Sequence, residues 1–114
     1  MQESLNTLKA EELLGLTRKL AEMDVDTTIT QLQCLLEIYL NPSEMRVSDI
    51  AKRSLVTPPS TTRTVDLYSE IGFNKKEGKG FIRRDADPKD RRFKLLTLTP
   101  KGKQFVESLF RKAS

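Results

Sequence analysis

Leu5, Leu8, Leu13, Leu16, Leu20 and Met23 recur at helical intervals and predict an amphipathic helix over about residues 3–23. Leu13, Leu16, Leu20 and Met23 are spaced three, four, three, as in a helix–helix seam; the stripe serves either core packing or contact with a second copy. A second helix starts at Thr28, where Thr28 and Gln31 have capping-box spacing. Ile29, Leu32, Leu35, Leu36, Tyr39 and Leu40 supply its apolar face, and Asn41-Pro42 ends it. A short third helix over about 48–55 turns Val47, Ile50, Ala51 and Leu55 inward. Val56-Thr57-Pro58-Pro59 is the turn into a fourth helix. Thr57 caps it, and the prolines occupy the first turn, where their missing amide hydrogens are not needed. Val65 and Tyr68 anchor this helix, which is expected to run to about Ile71 and stop at Gly72.

The second half of the chain changes period. Asn74 to Gly80 is a polar loop with two glycines, followed by short apolar-containing runs at Phe81–Arg84 and Phe93–Leu98 that read as strands. The intervening ADPKDRR forms a hairpin tip. Thr99-Pro100 opens a last helix over about 100–112, carrying Phe105, Val106, Leu109 and Phe110. Four helices, a hairpin and a helix make a mainly α fold with a two-stranded β-wing, a winged helix-turn-helix. With 114 residues, one domain covers 1–114: a candidate dimerisation helix at 1–26, the helix-turn-helix and wing at 47–98, and a C-terminal helix at 99–114.

Composition narrows the chemistry. No apolar run is long enough for a transmembrane helix, and MQESLNTLKAEEL lacks the basic start and apolar stretch of a signal peptide. One cysteine, Cys34, allows no internal disulfide and fits a reducing cytoplasm. Mid-helix between Leu32 and Leu35, it reads as a small buried hydrophobe rather than a redox sensor. With no histidine and no cysteine pair, neither a metal site nor a cofactor is expected, and nothing pairs a nucleophile with a base; the chain does not read as an enzyme.

The net charge of +4 conceals a division. Residues 1–40 hold three basic and seven acidic side chains, a net of −4, whereas residues 41–114 hold seventeen and nine, a net of +8. A strongly basic C-terminal part favours a polyanionic partner. In a helix-turn-helix the second helix presents its N-terminal residues to base edges in the major groove; here these are Pro59, Ser60, Thr61, Thr62 and Arg63. Small hydroxyls permit close approach, and Arg63 has the length for a bidentate contact to guanine. Lys75, Lys76 and Lys79 in the loop offer phosphate contacts. At the wing, Lys89, Arg91 and Arg92 suit a narrow minor groove. Asp87 and Asp90 are expected to hold an arginine in a fixed pose rather than to face phosphate, with Asp87-Pro88 shaping the turn. The plainer reading of the same wing is a solvated, salt-bridged hairpin.

Two stretches, VSDIAKRSLVTPPSTTRTVDLYSEIG and DADPKDRRFKLLTLTPKG, together make residues 47–102 resemble the MarR family of winged-helix transcriptional regulators. The Asp-Pro-x-Asp-Arg-Arg wing followed by Leu-Thr-x-x-Gly carries most of the likeness. The resemblance implies a homodimeric repressor-like regulator bound to a short palindromic operator in double-stranded DNA. The helix at 58–71 would then lie in the major groove, with Arg92, and Arg91 beside it, in the minor groove. Three features depart from the family pattern: the basic loop NKKEGKG is longer, Leu67 and Ile71 stand where charged residues are usual, and the sequence stops at Ser114, short of the family's longer C-terminal helices. A small-molecule effector pocket beside that scaffold is therefore not expected. Dimerisation is expected through Leu5, Leu8, Leu16 and Leu20 with Phe105 and Leu109. Two alternatives remain: a winged helix that binds protein through Leu67 and Ile71, and a DNA-binding factor of replication or partition.

Overall fold

The computed structural model describes residues 2–24, 26–41, 45–69 and 78–110. The order is α1 (Gln2–Asp24), α2 (Ile29–Leu40), α3 (Val47–Ser54), α4 (Pro58–Tyr68), β1 (Ile82–Ala86), β2 (Lys94–Leu98) and α5 (Pro100–Leu109). The caps read from the sequence form. The Gln31 amide donates to Thr28 Oγ1 at 3.2 Å, and the Thr28 amide donates to Gln31 Oε1 at 3.0 Å. Thr57 Oγ1 accepts from the Ser60 amide at 3.3 Å, and Thr99 Oγ1 from the Gly102 amide at 3.0 Å.

β1 and β2 pair antiparallel, with Ile82 opposite Leu98, Arg84 opposite Leu96 and Ala86 opposite Lys94. Single-residue bridges flank this hairpin on both sides: Met45 with Leu96, and Ser69 with Ile82. The wing is thus tied by backbone to the residues just before α3 and just after α4. Cys34, Leu35 and Ile38 of α2, Ile50 of α3, Val65 and Tyr68 of α4, Ile82 and Leu96 of the wing, and Val106 and Leu109 of α5 form one core. Through it runs a column of rings, Tyr68 on Phe81 at 5.6 Å and Phe81 on Phe105 at 4.7 Å between centroids. Gly102 lets α5 lie against the Phe81 backbone; a Cβ there would fall 2.2 Å from the Phe81 carbonyl oxygen. Burial raises the pKa of the Cys34 thiol, an effect partly offset by a hydrogen bond with Thr64.

α1 departs from this compactness. Leu16 and Leu20 pack on the core, and the Ser108 hydroxyl donates to Met23 Sδ, whereas Leu5, Leu8, Leu13 and Leu14 are exposed. The Cα radius of gyration, 15.4 Å, exceeds the roughly 13 Å of a compact chain this long.

Two boundaries correct the sequence expectation. α4 ends at Tyr68 rather than near Ile71, because Ser69 is extended (φ −78°, ψ 169°) and pairs with Ile82. The Phe81 amide then donates to the Tyr68 carbonyl. Gly72 and Ile71 lie outside the described residues. Leu55, expected inward, is 93% exposed and caps α3 in the left-handed region at φ 56°. The helix-turn-helix needs a chain reversal there, and a left-handed residue supplies it irrespective of side-chain polarity. For a branched side chain that conformation costs about 1–2 kcal/mol. Leu55→Gly is therefore expected to raise stability by about 0.5–1 kcal/mol after glycine's own entropic cost, read as a higher urea midpoint at unchanged slope.

Candidate nucleic-acid interface

α4 presents two faces. Thr61, Thr64, Val65 and Tyr68 recur at i, i+3, i+4 and i+7 and are all buried. Thr61 is therefore removed from the candidate contact surface. Its hydroxyl donates to the Thr57 carbonyl at 3.1 Å, and Thr64 donates likewise to Ser60. Chemistry alone groups the small hydroxyls as one set, and helical geometry divides them. Pro58, Pro59, Thr62 and Arg63 remain exposed, with Ser60 half-buried and its hydroxyl accepting from Thr57 Oγ1 at 3.0 Å. Leu67 is also exposed.

The wing tip is closed by its own aspartates. The Asp87 amide donates to the Phe93 carbonyl, the Asp90 amide to the Asp87 carbonyl, and the Phe93 amide to the Asp90 carbonyl. Asp90 Oδ1 accepts from Arg92 Nε at 3.0 Å and Asp90 Oδ2 from Arg92 Nη2 at 2.7 Å, a forked pair that lowers the carboxyl's pKa and raises that of the guanidinium. The Arg92 side chain nevertheless keeps 82% of its surface exposed. Arg91 and Lys89 are exposed as well. Along β1, Arg83 pairs with Asp85 at 2.9 Å, and Arg84 Nη1 reaches Asp66 Oδ1 of α4 at 2.7 Å.

Asp87 behaves differently from its neighbour. It does not support Arg91 or Arg92: its Oδ1 accepts the Lys89 amide at 2.9 Å, and its Oδ2 accepts both Nε and Nη2 of Arg46, which lies just before α3. The same guanidinium lies 4.4 Å from the Phe93 ring centroid. Arg46 was not singled out in the sequence, because its partner is 41 residues away. The available signal was an arginine at a helix N-cap, where Ser, Thr, Asp or Asn is preferred. Lys79 places its ammonium 5.9 Å from the Tyr68 ring. Lys75 and Lys76 lie outside the described residues. Of the expected dimer contacts, Phe105 and Leu109 are buried inside the chain, Phe105 against Phe81, and so are unavailable to a second copy. Among the described residues no cluster of acidic, cysteine or histidine side chains is placed to hold a metal ion, and no helix is long and apolar enough to cross a membrane.

Two short helices at a tight turn, continued by a hairpin bridged to both of them, define a winged helix-turn-helix. The MarR family model matches residues 27–73, from α2 past the end of α4, and the whole fold is that of MarR-type regulators. A point variant of S. aureus MepR, solved bound to an oligodeoxyribonucleotide, superposes with a TM-score of 0.73 at 24% identity, covering 95% of this chain and 72% of that one. YusO of Bacillus subtilis gives 0.68 at 28% identity over 95% and 69%. An E. coli MarR variant gives 0.68 at 21% identity over 96% and 72%. No curated protein matches the sequence.

The Asp87 carboxyl is held below the usual range, first by the Lys89 amide and then by Arg46. A depressed carboxyl stabilises the fold fully above its unfolded value near 4, and that stabilisation is lost as pH falls through the lower folded value. Stability measured by urea unfolding is expected to hold from neutral pH to about pH 4 and then fall. Asp87→Asn is expected to be less stable at pH 7 and to show a flatter acid limb.

Proposed function

We propose that this protein is a sequence-specific double-stranded DNA-binding regulator of transcription. The exposed N-terminal residues of α4 address the major groove, and the wing addresses the minor groove. The observation that carries this reading is the co-presentation of two surfaces by one rigid core. Pro59, Thr62 and Arg63 stand free on α4, while Lys89, Arg91 and Arg92 crown a hairpin tied to α4 through Ser69–Ile82 and Asp66–Arg84. The basic excess lies in this part of the chain. The oligodeoxyribonucleotide bound to MepR, a protein of the same fold, supports it. Neither surface carries the paired groups that catalysis requires.

The assembly we propose is a homodimer on a two-fold symmetric site. Leu5, Leu8, Leu13 and Leu14 leave an apolar stretch of α1 uncovered, and a second copy is the natural cover. Leu16 and Leu20 contribute at its margin, already half-buried on the core. Phe105 and Leu109 then act indirectly, as the floor on which α1 rests.

Selection from a random DNA pool, with the mass of the complex measured, tests the reading; a symmetric site carrying two chains is the expected result. Arg92→Ala is expected to weaken binding across sequences and to reduce the salt slope by about one. Arg63→Ala is expected to relax preference at one or two base pairs, by about 1–3 kcal/mol for the favoured base. Parent-like binding by both variants would overturn the groove assignments.

A further inference from the structure

Asp87 is the one buried charged side chain among the described residues, 4% exposed at the start of an otherwise largely solvated wing tip. Burying a carboxylate is costly unless it is paired and its oxygens are satisfied. Here both oxygens are used, Oδ1 by the Lys89 amide and Oδ2 by two nitrogens of Arg46. Arg46 is itself fixed at three points. Its amide donates to Asp49 Oδ2 at 3.0 Å, tying it to the first turn of α3. The preceding residue, Met45, accepts the Leu96 amide at 2.8 Å, tying it to β2. Its guanidinium rests on Phe93.

Phe93 links this anchor to the exposed tip. Its backbone closes the tip through Asp87 and Asp90, and its ring centroid lies 5.6 Å from the Arg92 guanidinium carbon as well as 4.4 Å from that of Arg46. Asp90 in turn grips Arg92. A continuous chain of contacts therefore runs from the start of α3 through Arg46, Asp87 and Phe93 to Asp90 and Arg92. A planar guanidinium that forks onto a carboxylate and stacks on a ring fixes orientation as well as distance, which an ammonium cannot do.

We infer that Arg46 is a positioning residue for the wing: it locks the hairpin tip to the helix-turn-helix and thereby sets where Arg92 stands relative to α4. Arg46 acts through the wing rather than by touching DNA. The inference rests on the proposed DNA-binding reading only for its second test.

The first test needs no DNA. Amide hydrogen exchange in Arg46→Ala is expected to quicken at least about tenfold over residues 87–93 while α2 and α5 keep parental protection. Arg46→Lys, which keeps the charge but loses the fork, is expected to fall between parent and Arg46→Ala, and it carries both tests if the alanine variant does not fold. In the second test, Arg46→Ala and Arg92→Ala are each expected to weaken DNA binding by about tenfold, and the double variant to bind no more weakly than the worse single one. Unchanged exchange at 87–93, or acceleration spread equally over α2 and α5, overturns the inference. So do losses that multiply to about a hundredfold. A parent chain that binds no DNA removes the proposed function, while the exchange measurement still decides the role of Arg46.

Discussion

Tyr68, Phe81 and Phe105 stand in one column, and the column joins three elements that the chain keeps far apart. Tyr68 closes α4, Phe81 immediately precedes β1, and Phe105 lies in the middle of α5. Stacked aromatic pairs contribute about 0.5–1.5 kcal/mol each beyond the area they bury. Their larger effect here is geometric. The Phe81 amide donates to Tyr68 and the Phe81 carbonyl accepts from Thr99, so the middle ring is fixed by backbone on both sides. Gly102 allows α5 to close on that backbone. The end of α4, the base of the wing and the start of α5 thereby converge on one residue. The relative placement of the two candidate contact surfaces, α4 and the wing tip, follows from it.

Charge acts on top of this frame as a set of ties. Exposed ion pairs contribute little to stability, and Arg83 with Asp85 is of that kind. The others differ in what they connect. Asp66–Arg84 links α4 to β1, Arg46–Asp87 links the start of α3 to the start of the wing tip, and Asp90–Arg92 fixes a side chain on that tip. Acidic groups on the proposed DNA-contact surface look adverse when counted by net charge. Each of these three carboxylates is occupied by a guanidinium, so the wing gains a defined pose at a modest loss of positive potential.

Much of the fold was legible locally. Thr28 with Gln31, Thr57 before Pro58-Pro59, and Thr99 before Pro100 placed three helix starts, because a cap and its partner lie within three residues of one another. The apolar stripe that buries Cys34, Leu35 and Ile38 was equally visible. The misplacements have a common cause. Hydrophobicity alone points Leu55 inward, but the turn requires a left-handed residue there and leaves its side chain in solvent. The local pattern carries α4 past Tyr68, because nothing nearby says that Ser69 pairs with Ile82. Chemistry groups Thr61 with Thr62, although one residue along a helix rotates a side chain by about 100°, enough to take it from solvent to core. Lys75 and Lys76 lie outside the described residues.

The sequence by itself determined the order and kind of the elements, the helix starts, the basic bias of the later residues and the match of residues 27–73 to the MarR family model, because each is written in neighbours a few positions apart. Only the tertiary structure decided which carboxylate serves which arginine, which hydroxyls of α4 face outward, and that Phe105 and Leu109 are spent inside the chain. Those outcomes depend on contacts such as Arg46 with Asp87, 41 residues apart, and on the ring column that brings α4, β1 and α5 together. No local period or cap encodes such a meeting; it exists only once the core has closed.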